Sequence, residues 1–246
     1  MSKTHFTIVV PAFNCARWVE RNLSSAINQE YDNYHLVYID DASTDNTATI
    51  ARKILDAASC SYELVENKAN CKALENIFTA VESSRKGTVI VALDGDDWLL
   101  NNTVLSALDG IYRNDKTWIT SGSYIDNALG RIHRPNITSD FWQGNIRKKK
   151  WKLSHLRTFR RELFMKIEKK DLLDLDGKFY KYTWDRAIMY PMVEMSGQER
   201  FAEISTPLYV YNAVNPFSVH RTHRSEQLRI EQLLIRKTPY LRLEEL

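Results

Sequence analysis

Three aspartates stand within four positions in Asp94-Gly95-Asp96-Asp97, directly after the apolar run Thr88-Val89-Ile90-Val91-Ala92-Leu93. Carboxylates this close repel one another, and they stay ionised together only where a cation or a dense set of donors offsets the charge. Hard divalent ions such as Mg²⁺ or Mn²⁺ take oxygen ligands of this kind, with substrate phosphates completing the shell. The run before them has the length and β-branched content of a strand buried on both faces. The pattern predicts a metal–diphosphate site at the carboxyl end of a parallel sheet. A Ca²⁺ helix-loop-helix fails on spacing, because Leu99 stands where Gly is needed and Leu105 where Glu is needed. Asp174-Leu175-Asp176 repeats the Asp-X-Asp spacing, but Asp171-Leu172-Leu173 before it is too short and too charged for a buried strand. A solvated loop is expected there.

The elements that must position these carboxylates repeat strand then helix over the first hundred residues. Phe6 to Pro11 and Tyr34 to Ile39 read as apolar strands, and Tyr62 to Val65 as a third. Between them, Val19, Leu23, Ala26 and Ile27 fall on one helical face within Ala16 to Gln29. Ser43-Thr44-Asp45 supplies N-cap residues for a helix with Ile50, Ala51, Ile54, Leu55 and Ala58 inside. Leu74, Ile77, Phe78 and Val81 mark a third helix, stopped at Gly87. This alternation predicts an α/β fold, a mostly parallel Rossmann-like sheet flanked by helices, with ligands at the carboxyl ends of its strands.

The second half is less regular. A helix is expected around Val104 to Tyr112, a strand over Trp118 to Ile125, and a mobile loop over 131–152. Leu153 to Phe159 reads as extended and Arg160 to Ile167 as helical. Trp184 to Met195 reads as a helix closed by Gly197, with Pro191 bending or interrupting it. Short strands are expected at Phe201–Ile204 and Leu208–Tyr211, then an amphipathic tail from Ser225 to Leu246 that packs on the body or on a partner.

At 246 residues the chain is long enough for one substantial core and reads as a single domain. No apolar run approaches the roughly 18–20 residues of a membrane span, and Met1-Ser2-Lys3-Thr4-His5 reads as lacking a signal-peptide h-region, so neither a span nor a signal peptide is expected. Cys15, Cys60 and Cys71 lack metal-ligand spacing and read as free thiols, so a cytoplasmic setting is expected. The net charge of +3 hides an asymmetry: residues 1–100 balance at −5 and residues 131–170 at +10. A basic segment attracts nucleic acid, anionic lipid or an acidic substrate, or is simply a solvated face. The eight glycines never lie closer than eight positions apart, which rules out both a dinucleotide fingerprint and a P-loop. Without a glycine cradle for phosphates, a metal ion must do more of the neutralising.

Three segments together resemble the family 2 glycosyltransferases, whose nucleotide-sugar-binding fold is called GT-A. Val9-Val10-Pro11-Ala12-Phe13-Asn14 is similar to their opening strand and Pro-X-Tyr-Asn turn. Ile39-Asp40-Asp41-Ala42-Ser43-Thr44-Asp45-Asn46-Thr47 resembles their Asp-Asp-X-Ser-X-Asp-X-Thr segment, and Leu93-Asp94-Gly95-Asp96-Asp97 their Asp-X-Asp-Asp. Order and spacing match over roughly residues 5–105; the second half matches through Trp184-Asp185. The resemblance implies inverting, metal-dependent transfer of a sugar from a nucleotide diphosphate to an acceptor. It divides the chain into a nucleotide-sugar-binding half (1–105), an acceptor-binding half (106–215) and a C-terminal helical tail (216–246).

Under that resemblance, Pro11, Phe13 and Asn14 line the nucleotide. Phe13 offers a face on which a base stacks, where the family has Tyr; a core Phe is the plain alternative. Asp41 accepts a hydrogen bond from a uracil ring N–H while Asp40 caps or orients the loop, so the donor is read as a UDP-sugar of glucose, galactose or N-acetylglucosamine type. Asp94 faces the ribose, and Asp94 and Asp96 hold Mn²⁺ or Mg²⁺, with His220 or His223 as a further ligand. His155 reaches the donor phosphates or sugar, and Lys148 to Lys150 form a lid or are solvated. Asp185 is the matching general base, with Trp184 stacking on the acceptor and Glu194 as the fallback base. The acceptor is a glycan, a lipid-linked sugar or a protein, with peripheral membrane contact and a homodimer left open. Two alternatives compete: a nucleotidyltransferase acting on a sugar phosphate, and a nucleic-acid-binding module using 131–170. The first lacks its glycine-rich basic loop after strand one, and the second leaves the aspartate clusters unexplained.

Overall fold

In a computed structural model, residues 3–217 and 222–246 are described, and each expected βα unit of the first hundred residues is present. These are β1 (Phe6–Ala12), α1 (Val19–Ile27), β2 (Tyr34–Asp40), α2 (Thr47–Asp56), β3 (Ser61–Glu66), α3 (Lys72–Ser83) and β4 (Val89–Ala92). The chain continues through β5 (Trp98–Leu99), α4 (Val104–Tyr112), β6 (Ile119–Asp126), β7 (Ile132–His133), β8 (Arg157–Arg160) and α5 (Arg161–Phe164). It ends with α6 (Trp184–Ser196), β9 (Phe201–Tyr211) and α7 (Arg224–Arg236).

All nine strands join one sheet in the order β3-β2-β1-β4-β8-β6-β9-β5, with β7 beside β6. β3, β2, β1 and β4 are parallel. β8 enters antiparallel between β4 and β6, and β9 runs parallel to β6. Six strands therefore point one way, so the carboxyl ends of β1, β2, β3, β4, β6 and β9 lie at one edge.

Strand alternation sorts the core into two layers. In β1, Phe6, Ile8, Val10 and Ala12 pack with α1, α2 and α4, while Val9 packs with α3 and α6 on the other face. β4 divides likewise, with Val89 and Val91 on one side and Ile90 on the other. An apolar run buried on both faces was the sequence signal for this strand, and burial on both faces is what the structure has.

The second half departs from expectation in four places. The two short strands at Phe201–Ile204 and Leu208–Tyr211 are one strand, β9, whose register on β6 slips around Ser123; the intervening Pro207 is carried by an irregularity rather than a break. Of the extended Leu153–Phe159 and helical Arg160–Ile167, only Arg157–Arg160 and Arg161–Phe164 are regular. The loop 131–152 is not open: it holds 3₁₀ turns at Ser139–Trp142 and Ile146–Lys148 and buries Phe141, Ile146 and Arg147. α6 runs through Pro191 without interruption and ends at Gly197 at φ 61°.

The tail packs on the body. Ile230 and Leu234 of α7 join the core layer around α6, and Leu243 N–H donates to the Met195 carbonyl at 2.9 Å. Among the described residues no helix is long and apolar enough to cross a membrane.

Candidate functional site

The acidic turn after β4 is held from three sides. Asn22, buried on α1, donates its Nδ2 to the carbonyls of Asp94 (3.0 Å) and Asp97 (2.7 Å). From β9, the Tyr209 hydroxyl donates to Asp97 Oδ2 at 2.6 Å, and the Asn212 N–H donates to Asp97 Oδ1 at 2.7 Å. Gly95 lies against β1: a Cβ there would stand 2.7 Å from the Ala12 Cβ and 2.9 Å from the Pro11 carbonyl oxygen. The middle residue of Asp-Gly-Asp is thus glycine for lack of room, and the contact sets the carboxylates beside the mouth of β1.

The three carboxylates are not equivalent. Asp97 is filled by protein donors; burial, then the charges of Asp96 and Asp94, push it well above the usual carboxylate range. Asp96 keeps one donor, Asn215 Nδ2 at 2.6 Å, and burial with the Asp94 charge pushes it up to about 6. For Asp94, burial is outweighed by His155, Arg157 and Tyr209, which hold it below its usual value. His155 Nε2 is 3.6 Å from Asp94 Oδ2, in electrostatic contact but beyond hydrogen-bond length. Burial, then Arg157, lowers the histidine toward its neutral form, its ring stacked on Tyr209 at 4.8 Å.

A charge-crowded, part-desolvated oxygen set with unfilled lone pairs suits a hard cation. Among the described residues, the group with ligand atoms in mutual reach is Asp94, Asp97 and His155, within 4.8 Å of one another. That group contains the expected Asp94, adds Asp97 and also His155, which was expected on the donor phosphates or sugar, and leaves Asp96 beside it with its oxygen on Asn215. His220 lies outside the described residues. His223 is elsewhere, stacked on Tyr182 at 4.7 Å.

At the mouths of β1 and β2, Phe13 is 43% exposed, which removes the core-Phe alternative, and the Lys72 ammonium stands 5.5 Å from its ring centre. Asn14 sits in the left-handed region at φ 51° and joins the two loops: its Oδ1 accepts from the Thr44 N–H (2.8 Å), and its N–H donates to Ser43 Oγ (2.9 Å). Asp41 holds the start of α3, accepting from Asn67 Nδ2 (2.9 Å) and from the Cys71 and Lys72 N–H groups (both 2.8 Å). Of a carboxylate's roughly four lone-pair sites, about one remains for a ligand. Asp40 Oδ2 accepts from the Ser43 N–H, which is the loop-orienting role expected of it.

Asp185 lies in the first turn of α6, which starts at Trp184 directly after Thr183 in the left-handed region at φ 62°. Non-glycine residues held there cost of order 1–3 kcal/mol each, and such strain clusters at ligand sites. The remaining three, Asn14, Ala42 and Lys72, surround the β1–β2 mouth. Arg157 Nη2 donates to Asp185 Oδ2 at 3.2 Å, and its guanidinium lies 5.3 Å from the centre of the Trp184 ring. His155 feels the charges of both Asp94 and Asp185, so the two expected half-sites share one neighbourhood.

Several expectations are corrected. Glu194 cannot serve as a base: it is buried, makes a two-point ion pair with Arg147 (2.7 Å each) and accepts from the Tyr240 N–H. The basic stretch is thinned by the fold. Arg147 and Arg157 pair with acids, while Arg160 and Arg161 donate to backbone carbonyls. Arg147 and Arg157 of the +10 segment are therefore buried, and Arg160 and Arg161 are half-buried. Asp174-Leu175-Asp176 is the exposed turn expected, with Leu175 94% exposed. Sequence reasoning missed Asn22, Arg157, Tyr209, Asn212 and Asn215. For Asn212 and Asn215, position after an apolar strand was the sole signal.

The profile of Glycosyl transferase family 2 matches residues 7–174. EpsE of Bacillus subtilis (strain 168) is 34% identical over 91 residues, covering 37% of this chain and 32% of that protein. The UDP-Glc:alpha-D-GlcNAc-diphosphoundecaprenol beta-1,3-glucosyltransferase WfaP of Escherichia coli is 27% identical over 119 residues, 48% of this chain and 45% of that protein. The chain thus spans about a third to a half of the length of these relatives. Among solved structures, the mannosyltransferase PcManGT from Pyrobaculum calidifontis, in complex with GDP-Man and Mn²⁺, aligns with a TM-score of 0.66 at 22% identity, over 97% of this chain and 66% of that one. S. aureus TarS 1-349 in complex with UDP-GlcNAc aligns with a TM-score of 0.63 at 14% identity, over 94% and 66%. At these identities the likeness establishes the fold, GT-A.

Proposed function

Because the chain belongs to glycosyl transferase family 2, we propose that it is an inverting enzyme that moves a sugar from a UDP-sugar to a hydroxyl of a glycan, lipid-linked sugar or protein. The observation that carries this reading is the contact of Gly95 with Ala12 and Pro11, which sets the open carboxylates Asp94 and Asp96 beside the exposed ring of Phe13. A nucleoside diphosphate needs a stacking face at one end and an offset for negative charge at the other.

In this reading Phe13 stacks on the base, Pro11 and Asn14 shape its pocket, and Asp41 spends its remaining acceptor capacity on the uracil N–H. Asp94 faces the ribose. Asp94 and Asp96 would hold a divalent cation, with His155 close to Asp94 and His220 as a further candidate outside the described residues; such a cation would offset the charge of the leaving diphosphate. Asp185 takes the proton of the acceptor hydroxyl as its oxygen bonds to the anomeric carbon, while the carbon–oxygen bond to the diphosphate breaks and UDP leaves with the electron pair. Attack opposite the leaving group inverts the anomeric centre. The halves 1–105 and 106–215 take donor and acceptor respectively. Family membership sets aside the nucleotidyltransferase and nucleic-acid alternatives.

WfaP is named for UDP-Glc and a diphosphoundecaprenol-linked acceptor, which accords with uridine; PcManGT was solved with GDP-Man, which makes guanosine the competitor. Calorimetry with UDP, GDP, CDP and ADP, each with and without Mn²⁺, separates them. Tightest binding of UDP with Mn²⁺ is expected; a preference for GDP overturns the uracil assignment.

A further inference from the structure

Arg157 opens β8, in register with Ala92 at the end of β4 and with Ser121 of β6, so its backbone lies in the middle of the sheet beside the exit toward Asp94. Alternation along β8 puts its side chain on the face of Phe159, the face covered by α6. The residue is only 4% exposed. A guanidinium buried this deeply needs its donors met. One terminal nitrogen meets Asp185 Oδ2, and the plane approaches Trp184. The Nε–H is buried and has no partner among the described residues.

The charges that act on this neighbourhood lie on two sides, Asp94 with His155 toward the donor and Asp185 toward the acceptor. If Asp94 faces the ribose and Asp185 takes the acceptor proton, the sugar in transit lies between them. We propose that Arg157 is a positioning residue: it fixes the carboxylate of Asp185 and reserves its Nε–H for an oxygen of the sugar being transferred. The inference rests on the donor and base assignments above and goes beyond them in making base orientation depend on the sugar. A lysine keeps the charge but has no planar fork to reach two partners at once.

The test uses isotope-labelled arginine in the whole chain, with the Arg157 Nε–H signal identified by its loss in Arg157→Lys. UDP with Mn²⁺ should leave this signal in place. UDP-glucose, UDP-galactose or UDP-N-acetylglucosamine, whichever binds, should shift it and slow its exchange with water. In parallel, release of UDP from that sugar nucleotide should fall about 10²-fold in kcat in Arg157→Lys, the cost of a misplaced base, with UDP affinity unchanged. A signal that moves equally with UDP alone assigns the Nε–H to the diphosphate and overturns the sugar contact. Unchanged kcat, or kcat and UDP affinity falling together, overturns the positioning role. Calorimetry on the wild-type chain separates these from failure of the donor reading, in which no nucleotide binds at all.

Discussion

The aspartates at the end of β2 and those at the end of β4 are alike in sequence and differ in what surrounds them. At β2, Asp41 receives three N–H groups from the start of α3 and its approach, and Asp40 receives one from its own loop. At β4, the protein fills Asp97 and leaves Asp94 and Asp96 short of donors, with burial and mutual repulsion working against Asp96. Asp41 and Asp97, which the chain satisfies itself, hold the fold; Asp94 and Asp96 are where a ligand's charge is needed, while Asp40 keeps its Oδ1 buried without a partner among the described residues. Asp185 falls between, with one oxygen tied to Arg157.

Four substitutions or titrations would break or sharpen that division. The largest effect is expected at Asp185. Asp185→Asn should lower sugar transfer about 10²–10⁴-fold while UDP affinity holds, as measured by UDP release and calorimetry. Next is Glu194, filled by Arg147: Glu194→Ala leaves a buried guanidinium unpaired and should cost about 3–5 kcal/mol in urea unfolding. Retained stability would mean that the pair is solvated and that this carboxylate was wrongly classed. Asp41→Ala should cost about 1–3 kcal/mol by stranding the Cys71 and Lys72 N–H groups, a stability loss seen without any nucleotide present.

The smallest effect is a pH dependence. Asp96 has a folded value of about 6 against 3.8 for a free carboxyl, so the native state holds its proton more tightly than the unfolded state does. Its contribution to stability is therefore greatest below about pH 4 and declines as pH rises toward 6. In chelator-treated buffer, the wild type should lose melting temperature relative to Asp96→Asn across that window. A difference that is flat, or that grows in the other direction, would mean Asp96 is not strained by its surroundings.

How much of this was legible depends on how local the cause was. The four parallel strands were readable because each carries its own apolar run and each helix its own periodicity, as with Val19, Leu23 and Ala26. Phe13 and the acidic turn were readable because their chemistry is packed into a few adjacent residues. Which aspartate the protein fills was not, since the donors to Asp97 come from Tyr209 and Asn212, more than a hundred residues away. The same holds for Glu194, which looks like any surface glutamate until Arg147 arrives from a loop. Arg157 was hidden inside a basic run that suggested a surface, although alternation along a short strand turns it inward.

The most direct test of the central claim is the Mn²⁺ dependence of UDP binding in Asp96→Asn, measured by calorimetry beside the wild type. If the carboxylates left short of donors after β4 hold a cation for the diphosphate, Mn²⁺ should tighten UDP binding in the wild type and do little in the variant, whose fold is intact. Equal tightening in both proteins would place the cation elsewhere and contradict the account.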